Sequence, residues 1–261
     1  FGGAMTLTIG ADIEVHGRGS ITHSSASTVI NDGVISADVS DQTLTISTNG
    51  FTNNGTAEAI NGGTLTLTSA TWTNTGAISA TDSTLTLDDD WDNDGTVTVD
   101  NSTLNLDGTF TQADMGVITR TGGTVNLTGT LTNTNLVLNA VTGSWRLLGG
   151  AVAGGTVAFA DSESFVTTTS GGTFNGVTLN SDLTIDNNHS LTVDNGLTLN
   201  AVLTLASSGH STDLRFNPGS QTLGGTGEVV LGGTSSNNRL LVGFGGAMTL
   251  TIGADIEVHG R

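Results

Sequence analysis

Three consecutive stretches decide the fold: FTNNGTAEAINGGTLTLTSAT (residues 51–71), WTNTGAISATDSTLTLDDD (72–90) and WDNDGTVTVDNSTLNLDGT (91–109). Aligned on their first letters, they share a bulky apolar residue, an amide two positions later and a glycine two further on. The frame extends in both directions. The apolar rank reads Val29, Phe51, Trp72, Trp91, Phe110 and Leu131, with steps of 22, 21, 19, 19 and 21 residues. The amide rank reads Asn31, Asn53, Asn74, Asn93, Gln112 and Asn133, and Gly33, Gly55, Gly76 and Gly95 complete the pattern. Two further apolar ranks follow, Leu44, Leu65, Leu85, Leu104, Val125, Trp145 and Ile46, Leu67, Leu87, Leu106, Leu127, Leu147. Thr or Asn separates them in the first five coils and Arg146 in the sixth, so each segment alternates polar and apolar, the pattern of a strand with one buried face. The density of Thr, Val, Gly and Asn and the missing 3.6-residue period exclude helix.

How many strands make one repeat is read from GVTLNSDLTIDNNHSLTVDNGLTLNAVLTL (176–205). Strands are expected at Val177–Leu179, Leu183–Ile185, Leu191–Val193, Leu197–Leu199 and Leu203–Leu205, which places Val177 over Leu197 and Leu183 over Leu203. Three short strands in about 20 residues describe one coil of a three-sided parallel β-solenoid. The fold class is therefore all-β, a parallel β-helix, and right-handed because parallel crossovers overwhelmingly are. Corners are expected at Gly, Asn and Asp, which tolerate positive φ. Inward Phe51, Trp72, Trp91 and Phe110 should stack as a core column. The amide rank should form a hydrogen-bonded ladder, which Gln112 can join because it keeps the amide.

The chain also repeats on a longer scale. It opens with FGGAMTLTIGADIEVHGR (1–18) and closes with the same eighteen letters (244–261), a period of 243 residues. Residues 1–243 therefore read as one long tandem unit of about twelve coils, and residues 244–261 as the start of the next. Twelve coils would rise roughly 58 Å. Within the duplicated segment MTLTI and IEV read as ordinary solenoid strands.

Composition narrows the function. Lys, Cys and Tyr are absent, all six basic residues are Arg, and 24 acidic groups give a net charge of −18. Nucleic acid and anionic lipid both call for a basic surface, so neither is an expected partner. No apolar run reaches the ~18 residues that span a membrane, so membrane insertion is not expected. Without Cys there is neither a disulfide nor a thiol nucleophile, and Ser lacks a nucleophile-elbow setting. Arg120, Arg146, Arg215 and Arg239 fall in different coils, and the histidines (His16, His23, His189, His210, His259) share no ligand-like spacing. The chain is read as a non-enzyme with no cofactor.

Two motifs carry alternative chemistry. In DDDWDNDGTV (88–97), Asp90, Asp92, Asp94 and Gly95 match the first half of a calcium loop. Asn101 stands where the loop's bidentate Glu belongs, and Gly95 is already part of the coil frame. Columns Thr43, Thr64, Thr84, Thr103, Thr124 and Thr45, Thr66, Thr86 resemble the paired Thr faces of ice-binding solenoids, although Thr equally suits any solvated strand.

The recurring T-N-x-G … T-L-T-L grammar across residues 20 to 210 resembles bacterial filamentous-haemagglutinin-like adhesins and autotransporter passenger domains. That resemblance implies a secreted, cell-surface or extracellular, elongated protein. The leading expectation is a structural unit of a fibre, stalk or filament whose partner is itself, by end-to-end continuation of coils. The alternative is an adhesin for a host, matrix or glycan ligand, for which only the irregular stretch Gly209–Asn238 offers an interruption.

Overall fold

The computed structural model describes residues 3–23, 26–243 and 246–260. It forms two compact units, Phe1–Gly129 and Thr130–Arg261, each built from parallel strands stacked coil upon coil. No helix occurs among the described residues.

In the first unit every coil contributes one strand to each of three parallel faces. The first face runs Met5–Ile9, Ser27–Asn31, Gly50–Asn53, Thr71–Asn74, Asp90–Asn93 and Thr109–Thr111. The second runs Glu14–His16, Val34–Ala37, Thr56–Ala59, Ala77–Thr81, Thr96–Asp100 and Val117–Thr121. The third runs Gly19–Thr22, Thr43–Ser47, Thr64–Leu67, Thr84–Leu87, Thr103–Leu106 and Thr124–Leu127. Registers follow the ranks read from the sequence. Val29 faces Phe51, Phe51 faces Trp72 and Trp72 faces Trp91, while Leu65, Leu85, Leu104 and Val125 align on the third face. Alternate residues point inward, so Trp72 and Asn74 are buried while Thr71 and Thr73 are exposed.

Like thus stacks on like through the core. The Trp72 and Trp91 rings lie nearly parallel, 5.9 Å apart, and Phe110 stacks on Trp91 at 4.7 Å. Each indole also keeps a polar partner: Trp72 Nε1 donates to the Asp88 carbonyl at 2.8 Å and Trp91 Nε1 to the Asp107 carbonyl at 3.1 Å.

The corners divide into two kinds, and one departs from the sequence reading. Asp41, Asn61, Asp82 and Asn101, each just before a third-face strand, take positive φ of 46 to 58°. The Gly33, Gly55, Gly76, Gly95 column is absent from the positive-φ residues, so its glycine requirement is not conformational. It is steric. A Cβ on Gly55, Gly76 or Gly95 would lie 2.2 Å from the carbonyl oxygen of the glycine one coil earlier, and one on Gly33 would lie 2.3 Å from the Ile13 carbonyl. Backbone stacks directly on backbone there, leaving no room for a side chain.

The second unit uses the same three-strand coil with less regular corners. Val177 faces Leu197 and Leu183 faces Leu203, as the spacing predicts. The strands expected at Leu191–Val193 and Leu197–Leu199 belong to one ten-residue strand, Ser190–Leu199, bent at Asn195 and Gly196 by positive φ. Thr173–Leu179 is bent likewise at Gly176. One or two left-handed residues turn these corners without ending the strand. The stretch Gly209–Asn238 is not an interruption: Thr212–Phe216, Gln221–Gly225 and Glu228–Leu231 each pair with the preceding coil. Its extra residues lie in the turns at 217–220 and 232–237. Trp145, Phe159, Phe165 and Phe174 form an aromatic cluster in this unit, with neighbouring ring centroids 5.9 to 6.4 Å apart.

If the glycine column is set by backbone contact, Gly76→Ala should cost roughly 2–4 kcal/mol in denaturant unfolding. Gly3→Ala, where an added Cβ meets nothing within 4 Å, should be near neutral.

Candidate functional site: amide ladder, acidic corner and coil edges

The inward amides form the ladder that their spacing predicts. Asn31 Nδ2 donates to Asn53 Oδ1 at 2.7 Å, Asn53 Nδ2 to Asn74 Oδ1 at 2.7 Å, and Asn74 Nδ2 to Asn93 Oδ1 at 2.6 Å. All four side chains are buried. Each amide also reaches main chain of the following coil: Asn31 donates to the Thr56 carbonyl, Asn53 to Ala77, Asn74 to Thr96 and Asn93 to Met115. At one end Asn31 Oδ1 accepts the Gly33 N–H. Two bonds per amide lock side chain, corner and neighbouring coil into one register. Gln112 lies one residue beyond the strand Thr109–Thr111 and is half-buried. Asn133, buried in the second unit, donates to the Gly154 and Thr156 carbonyls at 2.9 and 2.8 Å.

The acidic corner points the other way. Asp90 and Asp92 stand outward on the strand whose inward residues are Trp91 and Asn93. Burial raises the Asp92 pKa, and the charges of Asp94, Asp114 and Asp90 add to the rise. Like charge is therefore concentrated at this corner, from its own coil and from the one that follows. Among the described residues no group of three or more His, Asp or Glu is arranged to hold a metal ion. The coil contact at Gly95 accounts for the glycine of the calcium-like motif. Thr71, Thr73, Asp90 and Asp92 help to line a shallow groove of about 390 Å³ along this outward face.

The Thr columns keep register through Thr64, Thr84, Thr103 and Thr124. Beside them the column Thr66, Thr86 continues as amides, with Asn105 Nδ2 donating to Thr86 Oγ1 at 3.0 Å and Asn126 Nδ2 to Asn105 Oδ1 at 2.8 Å.

One cluster escaped the sequence reading. Asp213 is buried and accepts from Arg215 Nη2 at 2.7 Å and from Arg239 Nε and Nη2 at 2.7 and 2.9 Å. Burial alone would raise its pKa; the hydrogen bonds from Arg239 and Arg215 outweigh that and hold it below the usual carboxylate range. Arg215 and Arg239 do belong to different coils, but stacking brings them together because Arg239 faces Asp213 across the strand pair. The 26-residue step between those positions, longer than the steps that define the ranks, hid the match. This carboxylate is fully engaged as an ion-pair acceptor.

The duplicated segment forms coil strands in both places. In the first copy Met5–Ile9 pairs with Ser27–Asn31 and Glu14–His16 with Val34–Ser36. In the second copy Leu250–Ile252 pairs with Gln221–Leu223 and Glu257–Gly260 with Glu228–Leu231. Phe1, Gly2, Phe244, Gly245 and Arg261 lie outside the described residues. His16 Nδ1 sits 3.1 Å from Asp38, and His259, its counterpart, places Nε2 3.2 Å from Glu228.

Comparison with known protein families, curated proteins and solved structures finds no match.

Removing one rung should cost more than its own bonds. Asn53→Ala strands the Asn74 acceptor and one Asn31 donor in the core, so a loss of about 3 kcal/mol is expected in denaturant unfolding. Asn54→Ala, which removes an exposed amide, should stay within about 0.5 kcal/mol.

Proposed function

We propose that this protein is a structural repeat unit of a long extracellular bacterial fibre, stalk or filament, made by continuation of β-solenoid coils from one 243-residue copy into the next. The observation that carries this reading is the duplicated segment, whose two copies both fold as coil strands in register with a neighbouring coil. A solenoid is stabilised nearly as a sum over neighbouring coils, so it lengthens by duplication with no redesign. The polar groups support the same reading, because many of the buried ones make coil-to-coil bonds. Asn31 to Asn93 form the ladder, and Asp213 is held by two guanidinium groups. On this reading the protein is not an enzyme and carries no cofactor. The acidic surface, with a net charge of −18, keeps such fibres apart and soluble.

Negative-stain electron microscopy of polypeptides carrying two, three and four consecutive copies tests the proposal. Unbranched filaments that lengthen by roughly 5–6 nm per added copy are expected. Strings of separate globules, or a length that does not grow with copy number, would refute continuation. Immunogold labelling of producing cells should find the fibres outside the cell, and a wholly internal signal would refute the extracellular assignment.

A further inference from the structure

Asn–Gly pairs occur at residues 49–50, 54–55, 61–62, 175–176 and 195–196. An Asn before Gly is chemically fragile, because a residue without Cβ lets its backbone nitrogen approach the preceding side-chain amide. In a folded chain the outcome depends on what holds that amide. The coils hold four of these pairs. Asn49 Oδ1 accepts the Ser27 N–H, and Asn54 donates to Asp32 while accepting from Thr75. Asn195 Nδ2 donates to Asn175 Oδ1 at 2.7 Å, which engages both remaining amides. Gly55 N–H is also bonded to the Asn31 carbonyl at 2.9 Å, within the closely packed glycine column.

Asn61 is different. Its side chain is exposed and makes no hydrogen bond to any described residue. Ala59 and Thr64 face Ala80 and Thr84 of the next coil, so the corner Ile60–Gly63 carries one residue more than Thr81–Ser83. The surplus is taken up in a tight turn. Gly63 N–H donates to the Ile60 carbonyl at 2.9 Å, and Asn61 and Gly62 between them take φ of 56 and 78°. Gly62 N–H is held only by a side-chain hydroxyl, Ser83 Oγ at 3.1 Å, while its carbonyl accepts the Asp41 N–H at 3.0 Å.

We propose that Asn61 is a modification site, the position at which the folded chain deamidates first. The Gly62 nitrogen gives up its proton to solvent and attacks Asn61 Cγ. The N–Cγ bond forms, the Cγ–Nδ2 bond breaks and ammonia leaves, closing a succinimide ring. Water then opens the ring at either carbonyl, giving aspartate or isoaspartate and adding one negative charge in both cases. The corner accommodates these products unequally. Asp41 and Asp82 already take positive φ at this corner in the coils on either side, so aspartate fits the turn. Isoaspartate adds a carbon to the main chain, which displaces Gly62 from Asp41 and Ser83 and loosens both coil contacts. The chemistry belongs to a single chain and stands apart from the fibre reading.

The test ages the intact protein under mildly alkaline conditions, beside a sample kept unfolded in guanidinium chloride. Peptic digestion in acid, where the attack is slow, and mass spectrometry then locate each converted residue. In the folded sample Asn61 should convert about tenfold faster than the other four, which must first open locally. In the unfolded sample the five should convert at similar rates. Folded Asn61 converting no faster than the others would overturn the proposal, as would an Asn61 amide that survives while the unfolded sample reacts. N61D should unfold at the same denaturant concentration as the parent chain, and the aged isoaspartate fraction at a lower one. A destabilised N61D would overturn the accommodation of aspartate at this corner.

Discussion

Every coil must sit one strand spacing, about 4.8 Å, above an almost identical coil, and each residue must therefore tolerate its own kind directly overhead. Most of the first unit follows from that constraint. Aromatic rings meet it by stacking, as Trp72, Trp91 and Phe110 do. An amide meets it unusually well, because donor and acceptor on one side chain let each Asn bond to the next. The corner between the first and second faces, where backbone stacks directly on backbone, meets it without a Cβ, hence the Gly55, Gly76, Gly95 column. A carboxylate meets it badly. The acidic residues stand outward, and the pKa of Asp92 is raised by partial desolvation and by the neighbouring charges of Asp94, Asp114 and Asp90. Where a carboxylate does enter the interior, at Asp213, two guanidinium groups accompany it.

The same constraint explains what could be read from the sequence and what could not. Ranks such as Val29, Phe51, Trp72, Trp91 repeat the identity of a side chain, and side chains are what a sequence displays; their registers and the Val177–Leu197 and Leu183–Leu203 pairs were legible. The reason for the glycine column was not, since close backbone approach and positive φ call for the same residue. Nor does periodicity reveal whether a corner such as Asn195–Gly196 ends a strand or merely bends it. The Asp213, Arg215 and Arg239 cluster lay hidden because its coil is longer than the others, which moves Arg239 out of any fixed frame. The fold was therefore largely legible. Of the candidate site, the ladder was visible from Asn31 to Asn93, whereas the charged cluster required coordinates.

On the proposed reading, function in such a chain resides in the continuation of its coils. The buried amides Asn31, Asn53, Asn74 and Asn93 bond from coil to coil, and the two copies of the duplicated segment face opposite neighbours with different backbone groups. Perfect identity between the copies has a physical use in this light. A coil that must match the Gln221–Leu231 edge on one side and the Ser27–Ala37 edge on the other has both of its faces under constraint, including the histidine that reaches Glu228 or Asp38.

Amide hydrogen exchange on a polypeptide of two consecutive copies addresses the central claim most directly. If one coil serves both neighbours, the amides of Met248, Gly253, Glu257 and Gly260 at the junction should all exchange slowly. Slow exchange confined to Gly253 and Glu257, with Met248 and Gly260 exchanging as fast as exposed amides, would mean that the junction coil is paired on one side only and that the copies do not continue into each other.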